Sequence, residues 1–233
     1  MKNANPASHS PTPIFTIERS SRFTPQEERA NALSHLFASL MSIYGLVLLL
    51  FYSIRQGDAL SIIGASIFGV SLVALYTSST LNHVLPTGRA KNIFHNIDQI
   101  AIYFLIAGTY TPFALMLKND WGLLILGIEW TLAISGIVLK LLMPGVFERG
   151  VNILIISSYV IMGWLLIFFL APLYRNIDPI GVNLIFLGGA FYTLGIIFFK
   201  AKNIKQSHLI WHLMVMAGSL VHWWAVMKYV IKA

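Results

Sequence analysis

The chain has 233 residues, of which 57% are hydrophobic and only 11% charged, with a mean hydropathy of +0.73. A soluble domain carries roughly 25% charged residues, and a single water-soluble core of this size cannot hide so much apolar surface, so the solvent for most of the chain is lipid. The net charge of +7 then reflects loop lysines and arginines that set membrane orientation rather than a nucleic-acid surface. The absence of cysteine excludes disulfides and thiolate metal sites, which leaves His, Asp and Glu as the candidate metal ligands.

Residues 1–26 are rich in Ser, Pro and Thr and offer little to bury, which predicts a flexible cytoplasmic tail ahead of a single transmembrane domain over 27–233. The tail lacks the charged start, apolar run and small-residue cleavage site of a secretory signal, so insertion is expected through the first membrane span. Stretches free of Asp, Glu, Lys and Arg follow at 30–54, 59–88, 99–117, 150–174, 179–199 and 206–227. Each can cross a hydrocarbon layer of about 30 Å at about 1.5 Å per residue. They predict spans at 32–54, 60–83, 97–117, 151–172, 180–200 and 207–230, and the stretch from Trp121 to Leu142, interrupted by Glu129, supplies another. A carboxyl group at that depth is expected to face other helices or to carry its proton.

The fold class is thus an all-α integral membrane protein, a seven-transmembrane helix bundle. Seven spans put the termini on opposite sides. With a cytoplasmic N-terminus, 11 of the 16 basic residues fall inside; Arg55, Lys118, Arg175, Lys228 and Lys232 fall outside. That bias predicts N-terminus cytoplasmic and C-terminus outside.

The second span ends with Ser79 and His83 four residues apart on one face, Asp98 opens the third, and His208 and His212 share a face where the seventh begins. Topology brings His83, Asp98, His208 and His212 to one depth near the cytoplasmic surface. Three neutral imidazoles with an open position form the ligand set of a catalytic zinc, and Asp98 can help balance the metal's charge. Taken singly, His83 suits an interfacial histidine and the His208/His212 pair suits either packing or a metal; their convergence favours the metal. His222 lies about 15 Å deeper by helix rise, out of reach of that site, and suits an interhelical hydrogen bond. His35, following Glu28 and Asn31 on the first span, either supports the metal ligands or anchors the start of its helix. His95 is expected in a loop, and His9 in the tail has no role.

The pattern Glu28-x-x-Asn31-x-x-x-His35, Ser79-x-x-x-His83, Asp98 heading a helix that contains AIYFLIAGTYTPF, and His208-x-x-x-His212 resembles the hemolysin III family. That family is related to the progestin and adipoQ receptors, which include the adiponectin receptors, and more distantly to alkaline ceramidases. The resemblance runs from about Glu27 to Tyr229. It implies a seven-helix bundle with Zn2+ near its cytoplasmic side, in a multi-pass protein of the plasma membrane, the inner membrane in bacteria. It further implies His83, His208 and His212 as zinc ligands, Asp98 as the carboxylate that holds or polarises water, and Ser79 as the serine beside it. The long N-terminal domain of the animal receptors has no counterpart here, which weighs against receptor-style signalling.

The leading functional expectation is a zinc-dependent hydrolase of a lipid amide or ester that contributes to membrane homeostasis. Asp98 would act first as base and then as acid, and Ser79 would orient water or the carbonyl. Phe104, Phe168, Phe186 and Phe191 are candidate walls for an acyl chain, although lipid-facing or core packing is their plainer reading. The rival is a non-enzymatic sensor or regulator of membrane composition or energetics with structural zinc. A pore-forming hemolysin fits less well, since no line of charged residues offers a conducting lumen. Gly64, Gly69, Gly188 and Gly189 permit close helix contacts, within the chain or in a homo-oligomer.

Overall fold

A computed structural model describes residues 23–142, 152–201 and 203–232. Among these residues there are helices and no strands, and seven helical segments are long and apolar enough to cross a membrane. Residues 1–22 of the expected tail lie outside the described residues.

The first helix, α1 (Pro25–Gln56), starts ahead of residue 32 because a capping box sits in the sequence. Thr24 Oγ1 accepts from the Glu27 backbone N–H at 3.3 Å, Glu27 Oε2 accepts from the Thr24 backbone N–H at 2.9 Å, and Pro25 takes the first turn, where its missing N–H costs nothing. The helix stops at Gly57, whose φ of 76° is the left-handed conformation that a C-terminal glycine supplies without strain.

Helix α2 (Ala59–Val84) follows, then α3 (Arg89–Leu117), which also begins earlier than expected, so that Asp98 lies inside the helix rather than at its start. His95, expected in a loop, is likewise helical. The physical reason is that an uncharged run marks the thickness of hydrocarbon, whereas a helix continues past it wherever its backbone can bond to itself.

Helix α4 (Asp120–Leu142) is followed by a broken fifth span: α5 (Asn152–Trp164), a 3-10 turn (Leu165–Phe169) and α6 (Leu170–Asn176). Pro172 accounts for the break, since it lacks an N–H and its ring crowds the carbonyl four residues back. The disturbed backbone is satisfied from α3: Tyr110 Oη donates to Met162 O at 2.9 Å or Gly163 O at 3.0 Å and accepts from the Leu166 N–H at 3.0 Å. Irregular backbone inside a bilayer persists only with such partners. Helix α7 (Pro179–Lys200) and α8 (Ser207–Ala225), extended by a π turn over Val226–Val230, complete the bundle.

Helix α3 is the central post, with 67% of its most apolar window buried against 22% for α4, for the fifth span and for α7. It packs along α2, which packs along α1, while α7 and α8 pair with each other. Close approaches use small residues: a Cβ on Gly64 would fall 2.8 Å from Pro112 Cα, and one on Gly188 only 2.2 Å from His222 Nε2. Glu129 on α4 points into the bundle, 1% exposed, and neither oxygen has a hydrogen-bond partner among the described residues.

Candidate metal centre and its cavity

His83 comes from the last turn of α2, and His208 and His212 from consecutive turns at the start of α8. Each offers a ring nitrogen, and the three donor atoms lie within 4.8 Å of one another. Crossing helices thus bring together residues 125 positions apart, with His208 Nε2 at 3.3 Å from His83 Nε2.

The hydrogen bonds behind two of these rings fix which nitrogen faces the cluster. His83 Nδ1 lies 2.6 Å from Glu28 Oε2, and Lys91 Nζ donates to Glu28 Oε1 at 3.0 Å, so the carboxylate paired with the lysine offers its second oxygen to the ring as an acceptor. His83 therefore carries its hydrogen on Nδ1 and presents the Nε2 lone pair inward. Ser34 Oγ spends its hydrogen on Asn31 O at 2.8 Å, so toward His212 Nδ1, 3.0 Å away, it can only accept. His212 is thereby set in the same tautomer. A ring that donates its outer N–H to a carboxylate or hydroxyl is the usual arrangement behind a metal-ligating histidine.

The donor set fits zinc. Tetrahedral zinc with Zn–N bonds of about 2.0–2.1 Å places its ligand nitrogens about 3.3 Å apart, the separation seen between His83 and His208. A buried His83/His208/His212 group that can hold a metal ion is therefore part of the molecule.

Around the cluster, Lys91 joins three helices: besides Glu28 on α1, it donates to the carbonyls of Asn82 on α2 at 2.7 Å and of Leu85, just past the end of that helix, at 3.3 Å. Phe23 packs its ring 4.6 Å from His208 and 5.9 Å from His83, covering the cluster on the side of the N-terminus. His35 is inside α1, one turn beyond Asn31, and stacks face to face on His212 at 3.5 Å with 11° between the planes. It therefore stands beside His212 and not at the helix start, and neither of its ring nitrogens has a hydrogen-bond partner among the described residues.

Asp98 Oδ2 accepts from Asn82 Nδ2 at 3.1 Å, and the Ser79 hydroxyl is a further hydrogen-bond partner of this carboxylate. Ser79 is 2% exposed. Both border the same cavity as His83, His208 and His212. That cavity has a volume of about 970 Å³ and extends from the histidines along α3 to His222. Its walls include Leu75, Leu105, Ile106, Phe113 and Ile185, interspersed with Thr109, Tyr110, Tyr192 and Thr193, and His95 lies near the histidine end. None of Phe104, Phe168, Phe186 and Phe191 borders it. Phe168 is 79% exposed toward the surrounding lipid, and Phe104 packs on Trp130. Helix rotation decides which side chains face inward, and an all-apolar span does not encode it.

Glu28 and Asn31 could be tied to the site from spacing, but Ser34, Lys91 and Phe23 were missed. Ser34 stands three residues beyond Asn31 on the same helix face, a usable signal. Nothing local marks Lys91 or Phe23.

The signature of the family described as Haemolysin-III related matches residues 23–223. The Hemolysin-3 homolog of Bacillus subtilis (strain 168) is 43% identical over 211 residues, covering 90% of this chain and 97% of that protein. Hemolysin-3 of Bacillus cereus is 38% identical over 217 residues, covering 92% and 97%. The Monocyte to macrophage differentiation factor of Homo sapiens is 29% identical over 219 residues, covering 90% and 87%. The matched region runs from the residue that covers the histidine cluster to one past His222, so this chain belongs to the haemolysin-III related family of multi-pass membrane proteins.

Proposed function

We propose that the protein is a zinc-dependent hydrolase of a lipid amide or ester, working in the plasma membrane with its N-terminus in the cytoplasm. The observation that carries this reading is the convergence of three imidazoles at one end of a long, largely apolar cavity. His83, His208 and His212 would hold the ion; when bound, zinc supplies Lewis acidity and makes water easier to ionise near neutral pH.

The rest of the chemistry belongs to the chain. Glu28 and Ser34 aim His83 Nε2 and His212 Nε2 at the cluster and keep the rings from turning. Asn82 and Ser79 hold Asp98 with lone pairs to spare, so its carboxylate can take a proton from water and return it to the departing amine or alkoxide. The apolar walls take up an acyl chain and exclude bulk water, which strengthens every electrostatic contact at the reacting end. Ser79 orients and does not attack, because its hydroxyl is a hydrogen-bond partner of Asp98, the carboxylate that serves as base toward water.

The test is release of fatty acid by the purified protein in lipid nanodiscs, from a ceramide-like amide and from a phospholipid. Release that disappears in His208→Ala supports the proposal, and release that persists in that variant overturns it.

A further inference from the structure

Resting on the metal-site reading above, we infer that His35 is a positioning residue for His212: it lies flat against that ring and strengthens metal binding at the cluster through its π face rather than through a ring nitrogen.

His35 is 3% exposed, and both of its ring nitrogens are buried without a hydrogen-bond partner among the described residues. Unmet polar atoms cost free energy, so the favourable contribution of this ring comes from its faces. One face lies on His212, with centroids 3.5 Å apart and 11° between the planes, and Tyr76 meets the ring edge-on at 5.0 Å and 79°. The two stacked rings cannot share an ion. A cation about 2 Å from His212 Nε2 lies in the His212 plane and therefore well out of the nearly parallel His35 plane, where no His35 lone pair points. The three rings whose donor atoms converge do not include His35.

Ser34 and His35 are consecutive on α1 and hold His212 in complementary ways. Ser34 Oγ, 3.0 Å from His212 Nδ1, takes the outer edge of the ring, and His35 sets the plane. The Nε2 edge is left to face the cluster.

The parallel geometry itself points to charge. Every other ring contact of His35, His83, His208 and His212 among the described residues is inclined by 31° to 79°, as expected when equal quadrupoles avoid a face-to-face sandwich. A sandwich becomes favourable when one ring is poor in electrons, as His212 is once Nε2 gives its lone pair to a cation. The face of His35 then attracts the positive ring as a π face attracts any cation. The stack is thus stronger in the loaded protein than in the empty one, and that difference is read as metal affinity.

The experiment measures zinc affinity of the purified protein in nanodiscs, by competition with a chelator, for the wild type and for His35→Phe, His35→Leu and His35→Asn. Phenylalanine keeps a π face without nitrogen, leucine fills the space without a face, and asparagine keeps hydrogen-bonding groups without one. His35→Phe should stay within about twofold of the wild type, and the other two should lose about five- to tenfold, the scale of one aromatic contact. Wild-type affinity in His35→Leu overturns the proposal by showing packing alone, and a loss in His35→Phe as large as in His35→Leu overturns it as well. A readout that needs no variant is nitrogen NMR of the wild type labelled in its histidine rings. Zinc should move one nitrogen each of His83, His208 and His212 into the coordinated range and leave both His35 nitrogens outside it; a His35 nitrogen that joins them overturns the proposal. A wild type that binds no zinc overturns the metal-site reading together with the stack, whereas equal zinc affinity in all four proteins overturns the stack alone.

Discussion

Around His83 and His212, the nitrogen facing away from the cluster is tied to Glu28 Oε2 at 2.6 Å and to Ser34 Oγ at 3.0 Å, and those partners are held in turn by Lys91 and by Asn31 O. At the other end of the cavity His222 has one tie, to a backbone carbonyl, and a second nitrogen that meets nothing among the described residues. The same side chain serves two ends because the wiring behind the ring sets what its front can do. Backed by a carboxylate or a committed hydroxyl, imidazole lone pairs can converge on a cation. Pinned to a backbone carbonyl and enclosed by its neighbours, a single ring ties α8 to α7.

Breaking the wiring at the metal end should have the largest effect. Glu28→Gln removes the charge behind His83 and the anchor for Lys91, so metal affinity measured by competition with a chelator should fall about 10- to 100-fold. Unchanged affinity would mean that Glu28 only ties helices together. Ser34→Ala leaves the His212 N–H without its hydroxyl acceptor, and a smaller drop of about fivefold in metal affinity is expected from the loss of one neutral hydrogen bond, on the order of 1 kcal/mol.

At the deep end the expected damage is to packing. Gly188→Ala would press a methyl into His222, and overpacking of this kind costs about 1–3 kcal/mol. The reversible unfolding midpoint in detergent should drop while metal content stays at the wild-type level; loss of metal would show that the two ends are not independent. Smallest of all, Glu129→Gln on α4 preserves shape at a carboxyl group without partners among the described residues, and it should move stability by less than about 0.5 kcal/mol with metal content unchanged. A large loss would reveal an ionic role for Glu129 that its surroundings do not suggest.

Seven spans follow from composition because lipid leaves the backbone few choices, and the helical spacing of His208 and His212 and of Ser79 and His83 put the cluster within reach of the sequence. Helix ends were harder. The starts of α1 and α3 lie outside the uncharged runs, although Thr24, Pro25 and Glu27 spell a capping box in plain view. Pro172 likewise signalled the broken fifth span. The contact of Lys91 with Glu28 and the inward set of the cavity walls were not legible, because each depends on how helices rotate and cross, and near-uniform apolar spans leave that rotation to packing alone.

Metal analysis of the wild-type protein, purified without added metal and compared with a His83→Ala, His208→Ala double variant of equal helical content, reaches the centre of the matter. One zinc per chain in the wild type and none in the variant is the expected result. A wild type without metal, or a variant that keeps its zinc, would contradict the assignment of these histidines as a metal site.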